Sequence, residues 1–537
     1  MNGLMMDFPL TITSVMDYAK KVYPNVEIVS VTSDNPRHRY TYKDAFKRVN
    51  QLSNALAALG LQQGDRVATL AWNDYRHFEL YYSVSCSGYV CHTINPRLFS
   101  EQIEFIVNHA EDQYLFTDPM FVPVIEGLIE KLPTLKGVIV LTSEEHMPSS
   151  DKLDLICYEN FIAGHSEEFN YPQLEENNAS SLCYTSGTTG NPKGVLYSHR
   201  STVLHGLGSG APNAFNISNR EVVMPIVPMF HVNAWSLPYT CALSGSKIVF
   251  PGNKMADGPT LTSLINDEGV TFSAGVPTVW LALYNYLKAE GIAVPTLERC
   301  IVGGSACPLS LINAFRDDLD VNLQTAWGLT ETSPLGSIFT LKPELDNASE
   351  EELDKLKVKQ GLPIFGVDSK IVDFEGNELP WDGTSFGQLK VRGPWVAKAY
   401  YNMEKTDAHE EDGWFDTGDI VTYDKHGYMQ ITDRSKDLIK SGGEWISSIE
   451  LENLAVDHPE IAEAAAIGYE HEKWGERPMI FAVRKEGSTV SAEELIASYQ
   501  GKIAKWCIPD IVEFVDELPH TATGKLDKKV LRQKLSV

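Results

Sequence analysis

YTSGTTGNPKGV, residues 184–195, brings three glycines, three threonines, one serine and a single lysine together in one short stretch. Glycines leave backbone N–H groups accessible, and the hydroxyl groups and the lysine add further donors, so this composition is typical of a loop that holds phosphate. An ordinary Gly/Ser/Thr surface turn has a similar composition. The stretch alone therefore indicates a phosphate loop and leaves the kind of phosphate chemistry open.

The loop differs from that of a P-loop NTPase, whose pattern is G-x-x-x-x-G-K-[ST] leading directly into a helix. Pro192 stands five residues after Gly187, where that pattern requires glycine. Gly194 follows Lys193, so the hydroxyl that would hold magnesium is missing. GVLYSHR, residues 194–200, is typical of a strand. The sequence therefore predicts a phosphate loop between two strands, and it excludes a P-loop kinase.

Composition limits the class of protein. The chain has 537 residues, 43% of them hydrophobic, which is enough for more than one domain. Its net charge of −27 argues against a nucleic-acid partner. There is no apolar run of about 18 residues that could span a membrane, and the start does not have the pattern of a signal peptide. The eight cysteines are scattered without a C-x-x-C pair, as expected of buried thiols in a reducing cytoplasm.

The periodicity of the first 300 residues predicts alternating helices and strands. YTYKDAFKRVNQLSNALAALG, residues 40–60, predicts a helix with one apolar stripe, whereas GDRVATLAW, residues 64–72, predicts a buried strand. A second alternating set runs from EVVMPIVPMFH at 221 to LERCIVGGSACP ending at 308. This rhythm predicts parallel α/β sheets.

The pattern changes after about residue 358. Residues 361–394 contain short apolar runs separated by Gly and Asp turns, which predicts a small β-barrel or sandwich. After residue 447 a compact α+β pattern begins, with a predicted capping box from Ser447 to Glu450. We place the domain boundary after Asp433, so that residues 1–433 and 434–537 are the two predicted domains.

Five further motifs follow the loop in a fixed order. They are GGSACP at 303–308, TAWGLTETSP at 325–334, WFDTGDI at 414–420, DRSKDLIKSGGEWIS at 433–447 and PHTATGKLDKKVLR at 519–532. Together with the loop they resemble the adenylate-forming superfamily, which contains acyl-CoA synthetases, luciferases and the adenylation domains of peptide synthetases. The resemblance covers nearly the whole chain. It implies an α/β multidomain fold: a large N-terminal domain of two α/β subdomains and a small β-barrel, then a small mobile α+β C-terminal domain.

The resemblance also implies a reaction in two halves. A carboxylate attacks the α-phosphate of ATP to give an acyl-adenylate and pyrophosphate, and a thiol then displaces AMP. Lys525 matches the catalytic lysine that bridges the two anions. Glu331 matches the ligand of Mg²⁺, and Thr330 lies next to it near the α-phosphate. The β and γ phosphates are assigned to Thr185, Ser186, Gly187, Thr188, Thr189, Gly190 and Lys193.

Nucleoside contacts are implied by three motifs. Trp327 stands where relatives commonly carry an aromatic residue that stacks on adenine. The strand around it and the opposite wall contribute Ala326, Gly328, Gly303, Gly304 and Ser305. Asp419 matches the carboxylate that takes the ribose hydroxyls, and Arg434 is a second ribose contact. We expect Asp416 to be structural, capping a turn.

The second half-reaction is assigned to the C-terminal motifs. Lys436 matches the hinge about which the C-terminal domain rotates. Rotation is expected to withdraw Lys525 and to bring a second set of residues to the pantetheine arm of coenzyme A: Lys440, Gly442, Gly443, Glu444 and Trp445.

The acyl pocket is expected between three of the motifs and to be lined by His231, Asn233, Trp235, Gly303, Gly328 and Thr332. Trp235 either forms the floor of a short pocket or gates a longer tunnel. No aspartate stands near Ala234, where amino-acid adenylation domains place a carboxylate for the substrate amine. This favours a CoA ligase for an apolar acid. MFHVNAW and AWGLTETSPLG resemble medium-chain and long-chain fatty-acid ligases, above all the 3-methylmercaptopropionate–CoA ligase type.

Several alternatives stay open at this point. The acid is 3-methylmercaptopropionate or a short- or medium-chain fatty acid, or a long-chain acid if Trp235 is a gate. A luciferase-like oxidative enzyme and an inactive binding protein on the same fold are the rival functions. The expected ligands are ATP, Mg²⁺, coenzyme A and a small carboxylic acid, in a cytoplasmic protein with homodimers common among its relatives.

Overall fold

The computed structural model describes residues 1–185, 191–403, 406–442, 444–520 and 526–535. The chain divides into two compact units. The first contains Met1–Thr185, Asn191–Asp368 and the described part of 392–406. The second contains Ser369–Val391 and the described part of 407–537.

Strands and helices alternate through the first unit. Its strands, β1 to β16 in chain order, are Glu27–Ser30, His38–Thr41, Arg66–Leu70, Val90–Thr93, Tyr114–Thr117, Gly137–Val140, Leu155–Cys157, Ala179–Tyr184, Gly194–Ser198, Val222–Pro225, Lys247–Phe250, Phe272–Gly275, Arg299–Val302, Asn322–Gly328, Leu335–Ile338 and Leu362–Pro363. Its α-helices, α1 to α12, are Ile12–Val22, Tyr42–Ala58, Tyr75–Cys86, Ser100–Ala110, Val122–Leu128, Tyr158–Ile162, His199–Gly210, Leu237–Ser244, Gly258–Glu268, Pro277–Glu290, Leu309–Leu319 and Glu350–Lys357.

These strands form two sheets, each of which pairs mainly in parallel. One has the order β16-β15-β14-β13-β12-β10-β11-β1-β2 and the other the order β7-β6-β5-β3-β4-β8-β9. Antiparallel pairing occurs at β2, β15 and β16 in the first sheet and at β9 in the second. Helices connect the parallel neighbours, as the alternating sequence pattern requires. The two predicted α/β subdomains are therefore confirmed.

Helix α2 shows why the sequence pattern was informative. Its predicted apolar stripe is buried from Ala45 through Phe46 and Val49 to Leu56, and the preceding Thr41 caps the helix. The stripe buries one face of the helix against the unit, and this burial stabilises an amphipathic helix more than propensity does.

The second unit contains the remaining elements. Its strands, β17 to β25, are Asp368–Val372, Phe386–Arg392, Phe415–Tyr423, Met429–Arg434, Ile439–Ser441, Glu444–Ile446, Ile461–His471, Gly475–Arg484 and Ile511–Phe514, and its α-helices, α13 to α15, are Ser448–Val456, Ala492–Ala497 and Lys528–Leu535. Strands β17 to β20 form a four-stranded sheet in that order, with β17 and β20 at its edges. We predicted a small barrel or sandwich for this region; in the described residues the strands instead form this open sheet. The predicted C-terminal α+β part is a five-stranded sheet with its helices.

The second unit includes both small sheets, so its start at Ser369 differs from the predicted domain boundary. Rotation about a boundary between 433 and 434 stays a prediction. The Ser447 hydroxyl accepts a hydrogen bond from the Glu450 amide at 3.1 Å, which is the N-cap half of the predicted capping box.

Two predictions from composition also have structural counterparts. All eight cysteines lie within the described residues, buried and with free thiols. Across the described part of the chain, every helix is too short or too polar to cross a lipid bilayer.

Candidate active site

The first unit brings two of the predicted motifs, GGSACP and TAWGLTETSP, to one edge of its nine-stranded sheet. Strands β10, β12, β13 and β14 are parallel neighbours, so their carboxyl ends lie side by side. Gly303 directly follows β13, and β14 ends at Gly328. Ligands of open α/β sheets bind outside the carboxyl ends of the strands. The fold therefore brings these motifs to the place where a ligand site is expected.

A left-handed turn lies in the segment that follows β10. Val232, Asn233, Ala234, Trp235 and Ser236 have φ angles of 47°, 51°, 49°, 55° and 61°. Each such conformation costs roughly 1–2 kcal/mol for a residue with a Cβ atom. A run of five persists only where the surroundings fix it, and strained backbone of this kind clusters at functional sites.

Asn233 anchors that turn to strand β8. Its side chain is buried, and Nδ2 donates to Ser181 Oγ at 2.9 Å. The Cys183 thiol donates to Asn233 Oδ1 at 3.5 Å. Both ends of the Asn233 amide are thus bonded to β8, so this side chain anchors the turn and offers no free amide to the predicted acyl pocket.

Trp235 is the half-buried side chain of the turn and contacts the end of β13. A Cβ atom on Gly303 would lie 2.9 Å from Trp235 Cη2 and 3.2 Å from the Ala326 carbonyl oxygen. The indole therefore lies directly against the glycine backbone, an approach that any side chain at 303 would prevent. His231, half-buried at the start of the turn, bonds through its amide to the Pro228 carbonyl at 3.1 Å.

His205 in α7 connects the turn to the TETSP motif. Burial lowers the pKa of His205 to about 3, so the imidazole is neutral. Its Nε2 accepts from the Leu335 amide at 3.0 Å, and Nδ1–H therefore donates to Ser236 Oγ at 2.8 Å. Ser236 in turn donates to the Ser333 carbonyl at 3.4 Å. One buried imidazole thus holds the acyl-pocket turn and the predicted magnesium loop in fixed relation.

Glu331 and Thr330 lie in a short 3-10 turn, Thr330–Thr332, after β14. Glu331 Oε1 accepts from the Tyr400 hydroxyl at 2.7 Å. Burial and the neighbouring Glu331 carboxylate raise the pKa of Tyr400, so the phenol stays protonated and donates. The Tyr197 hydroxyl donates to the Thr330 carbonyl at 2.6 Å. Thr332 closes the turn by accepting the Leu329 amide at 2.9 Å.

The base of the phosphate loop is described on both sides. Strands β8 and β9 pair antiparallel up to Tyr184 and Gly194. Thr185 then extends the pairing, because its amide donates to the Lys193 carbonyl at 2.9 Å and its hydroxyl accepts the Lys193 amide at 3.1 Å. Lys193 Nζ lies 4.9 Å from the centre of the Tyr400 ring. The prediction of a loop between two strands is confirmed, whereas Ser186, Gly187, Thr188, Thr189 and Gly190 lie outside the described residues.

The proposed adenine walls differ in exposure. Gly304 and Ser305 are exposed, and Gly304 has a φ of 85°, which favours glycine. Trp327 is 6% exposed, and its ring packs so closely on Gly336 that a Cβ atom there would lie 2.3 Å from the ring. The indole is thus fixed by the strand that pairs with its own.

The two residues that we predict to contact the ribose lie side by side in the second unit. Asp419 on β19 and Arg434 on β20 are cross-strand partners, and Arg434 Nε lies 2.8 Å from Asp419 Oδ1. Asp419 is fully buried within this sheet. Asp416 accepts the Gly418 amide at 2.9 Å and pairs with Lys390 Nζ at 2.8 Å. The structural, turn-capping role expected of Asp416 is therefore confirmed.

The motif assigned to coenzyme A forms a hairpin of β21 and β22 in the second unit. Lys440 pairs with Trp445 across the hairpin, with Nζ 5.2 Å from the indole centre. The Lys440 amide donates to Glu476 Oε2 at 2.8 Å. Gly442 has a φ of 62° and donates to the Trp474 carbonyl at 2.7 Å. Gly443 and the catalytic candidate Lys525 lie outside the described residues, as does the side chain of Glu444.

Comparison with known proteins shows which family the chain belongs to. The family model described as AMP-binding enzyme matches residues 17–401, and the AMP-binding enzyme C-terminal domain matches residues 450–525. The chain belongs to the AMP-binding enzyme family. It is 48% identical over 534 residues to the 3-methylmercaptopropionyl-CoA ligase of Ruegeria lacuscaerulensis, and the aligned region covers 99% of each chain.

Two further members of the AMP-binding family are similar over their full length. The medium-chain-fatty-acid–CoA ligase of Ectopseudomonas oleovorans is 46% identical, with 99% of this chain and 97% of that protein covered. The crystal structure of an anthranilate CoA ligase in complex with anthranoyl-AMP superimposes with a TM-score of 0.86 at 25% identity, covering 99% of this chain and 98% of that one. The adenylate-forming resemblance and the α/β multidomain fold are thereby confirmed.

Magnesium is the ion that this family member is expected to use, and the donor set at Glu331 fits it. Among the described residues no group of three or more His, Cys, Asp or Glu side chains could hold a metal ion. Mg²⁺ commonly takes one or two protein carboxylates and completes its shell with phosphate oxygens and water. Tyr400 bonds one Glu331 oxygen and orients the carboxylate. A single oriented carboxylate near the base of the predicted phosphate loop fits such an ion.

Sequence reasoning missed three residues that support the candidate site. Tyr400, Tyr197 and His205 support Glu331, Thr330 and Ser236, respectively, and all three are buried. Tyr197 lies within the strand that follows the loop. The alternation of side chains along that strand could have predicted that Tyr197 faces the interior. Tyr400 stands 69 residues from Glu331, and His205 is a lone histidine in a helix. Neither position carries a local pattern that predicts its contact.

Gly328 offers a test of how tightly the AMP-binding motif is packed. A Cβ atom on Gly328 would lie 2.0 Å from the Pro334 carbonyl oxygen, so alanine forces the backbone apart. We expect Gly328→Ala to lower the midpoint of thermal unfolding, at a cost of about 2–4 kcal/mol. Gly127→Ala is the control, because nothing lies within 4 Å of its added Cβ atom. Equal midpoints for the two variants would show that the turn adapts freely.

Proposed function

We propose that this protein is an ATP-dependent acid–CoA ligase, which converts a carboxylic acid, ATP and coenzyme A into acyl-CoA, AMP and pyrophosphate through an acyl-adenylate. The observation that carries the proposal is the meeting of Lys193, Tyr400 and Glu331. Tyr400 bonds Glu331 at 2.7 Å and has Lys193 Nζ 4.9 Å from its ring. The lysine at the base of the proposed phosphate loop and the proposed metal-binding carboxylate thus both lie next to the buried side chain of Tyr400.

Each residue has a defined part in the first half-reaction. Glu331 is the carboxylate that would hold Mg²⁺, which when bound neutralises phosphate charge. Lys193 and the loop bind the β and γ phosphates that leave as pyrophosphate. Lys525 bridges the attacking carboxylate and the α-phosphate, where a compact ammonium opposes two anions. Trp327 stacks on adenine, and Asp419 with Arg434 binds the ribose.

The second half-reaction uses the other face of the C-terminal domain. We place the hinge at Lys436, and the hairpin that carries Lys440, Gly442 and Trp445 receives the pantetheine arm. Glu476 and Trp474 hold this hairpin through the amides of Lys440 and Gly442. These two bonds hold the strands of the hairpin in place for the pantetheine arm.

The acid is 3-methylmercaptopropionate or a short- or medium-chain fatty acid. In support, Trp235 lies directly against Gly303, where we expect the acyl pocket, and so large a side chain there favours a short acid. The Ruegeria and Ectopseudomonas relatives named above act on acids of these sizes according to their names. A long-chain acid is the alternative, in which Trp235 is a gate that swings away.

We place the enzyme in the cytoplasm, where its eight free and buried thiols remain reduced. Its partners are then the acid, ATP and coenzyme A. A homodimer, which is common among relatives, stays a prediction.

The function is tested by measuring AMP formation from ATP with and without coenzyme A, across straight-chain acids from C3 to C16 and 3-methylmercaptopropionate. We expect CoA-dependent turnover that is fastest for 3-methylmercaptopropionate and C4 to C8 acids. Product identity is checked by mass spectrometry of the acyl-CoA. No turnover with any acid would refute the ligase, whereas AMP release that requires O₂ in place of coenzyme A would identify an oxidative enzyme.

Trp235→Ala separates the floor from the gate. If Trp235 forms the floor of the pocket, the alanine variant gains space for about four additional methylene groups of the acid. Each is worth about 0.8 kcal/mol of transfer free energy, so the preferred chain length should increase. If Trp235 is a gate, the substitution leaves the preferred chain length of the acid unchanged and changes the rate for all acids alike. Wild-type preference for C12 or longer acids would by itself contradict the short pocket.

A further inference from the structure

The last helix of the chain presents two basic side chains on one face. Helix α15 spans Lys528–Leu535, and Lys528 and Arg532 are four residues apart, so they lie one above the other. Lys528 is only 9% exposed. Lysine is rarely so buried unless its charge is compensated. In contrast, the next residue, Lys529, is exposed.

Lys528 lies close to two carboxylates, of which Asp433 is buried and Glu452 is largely buried. Its Nζ donates to Glu452 Oε1 and to Ser448 Oγ, both at 2.6 Å. Ser448 connects Lys528 to Asp433, because its hydroxyl donates a hydrogen bond to Asp433 Oδ1 at 2.9 Å. Asp433 and Ser448 are completely buried. Burial raises the pKa of Asp433 and of Glu452, and the Lys528 ammonium opposes this increase.

Arg532 bonds to the chain on the other side of Lys436. Its Nη2 donates to Asp437 Oδ1 at 2.6 Å and to the Lys436 carbonyl at 3.2 Å. Helix α15 is therefore linked through Ser448 to Asp433, before Lys436, and is bonded directly to Asp437, after it. These contacts lie within one compact unit.

We propose that Lys528 and Arg532 are positioning residues, which fix the helix that follows Lys525 to the segment 433–437. The inference rests on the proposed ligase function, because it concerns the lysine assigned to adenylation. Lys525 stands three residues before Lys528, so the chain between them is at most about 10 Å long. Anchoring α15 beside the hinge thereby limits where the Lys525 ammonium can lie.

A buried ion pair also contributes to folding, so loss of stability alone does not identify a positioning role. The two half-reactions make the distinction. Adenylation needs the Lys525 ammonium at the α-phosphate, whereas thiolysis of a supplied acyl-adenylate does not. Misplacing a catalytic group by about 1 Å costs on the order of 100-fold in rate. A positioning residue should therefore affect the first half-reaction selectively.

The experiment uses the full-length protein with Lys528→Met and Arg532→Gln. Lys529→Met and Lys534→Gln are the matched controls, since both side chains are exposed on the same helix. We expect adenylation, measured as single-turnover pyrophosphate release, to fall about 10- to 100-fold in Lys528→Met and about 3- to 10-fold in Arg532→Gln. Thiolysis should stay within about threefold of wild type in both, and the controls within about twofold.

A second readout does not depend on turnover. Acetylation of Lys525 by acetic anhydride is followed by mass spectrometry with and without ATP. We expect ATP to protect Lys525 in the wild type and controls, and to protect it less in both anchor variants. Equal protection in all variants, or an equal fall in both half-reactions, overturns the proposal. If Lys528→Met does not fold, the milder Arg532→Gln decides; if wild-type protein turns over no acid, the ligase function fails while the protection pattern still decides the anchoring.

Discussion

Lys525→Ala is expected to lower the rate of acyl-adenylate formation about 1,000-fold while the thiolysis of supplied acyl-adenylate stays within about threefold of wild type. The first half-reaction brings a carboxylate to a phosphate, so two anions must approach each other. Removing one donor that opposes developing charge costs about 2.7–4 kcal/mol, which corresponds to 100- to 1,000-fold in rate. The second half-reaction joins a thiol to an adenylate that is already activated and has no comparable requirement.

Pyrophosphate release measures the first half-reaction, and acyl-CoA formation from chemically prepared acyl-adenylate measures the second. Lys529→Ala is the control, because it removes one exposed lysine from the same basic stretch. Lys525→Arg adds a second comparison: it keeps the charge but replaces a compact ammonium with a planar guanidinium, so recovery should be incomplete. An equal loss in both half-reactions would contradict the division of roles, and full activity of Lys525→Ala would remove it from the mechanism.

Much of the fold could be predicted because its determinants are local. The stripe from Ala45 to Leu56 has the period of a helix, and α2 buries those residues. GVLYSHR was predicted as a strand that excludes a P-loop, and β9 begins at Gly194 and pairs with β8. The closure of the small β region depends on pairing between distant strands, and here the prediction of a barrel was less accurate than that of its strands.

Some features of the candidate site could likewise be predicted from the sequence, whereas others could not. The ordered motifs predicted site roles for Glu331, Asp419 and Arg434, and the structure brings the last two together as cross-strand partners. The left-handed run from Val232 to Ser236 was not predicted, because each of these residues disfavours that conformation in isolation. Contacts from distant parts of the chain fix the run, and such contacts leave no pattern in a single sequence.

Glu331→Gln is expected to lower adenylation about 100-fold, equivalent to about 2.7 kcal/mol, and to raise the Mg²⁺ concentration required for half-maximal rate. Glutamine keeps the shape of the side chain and can still accept the hydrogen bond that Tyr400 donates at 2.7 Å. The substitution therefore removes the negative charge with little change in packing. A neutral amide oxygen is a weaker ligand for a hard cation than a carboxylate.

Tyr400→Phe and Asp346→Asn make this result specific. Tyr400→Phe removes the donor that orients Glu331 but leaves the charge, so the loss should be about tenfold, consistent with one hydrogen bond to a charged group. Asp346→Asn removes a carboxylate exposed on the same unit and should leave the rate unchanged. If Glu331→Gln shifts neither the rate nor the Mg²⁺ requirement, Glu331 is not the metal ligand. If Tyr400→Phe costs as much as Glu331→Gln, orientation of the carboxylate matters as much as its charge, because the variant that keeps the charge would be no more active than the one that loses it.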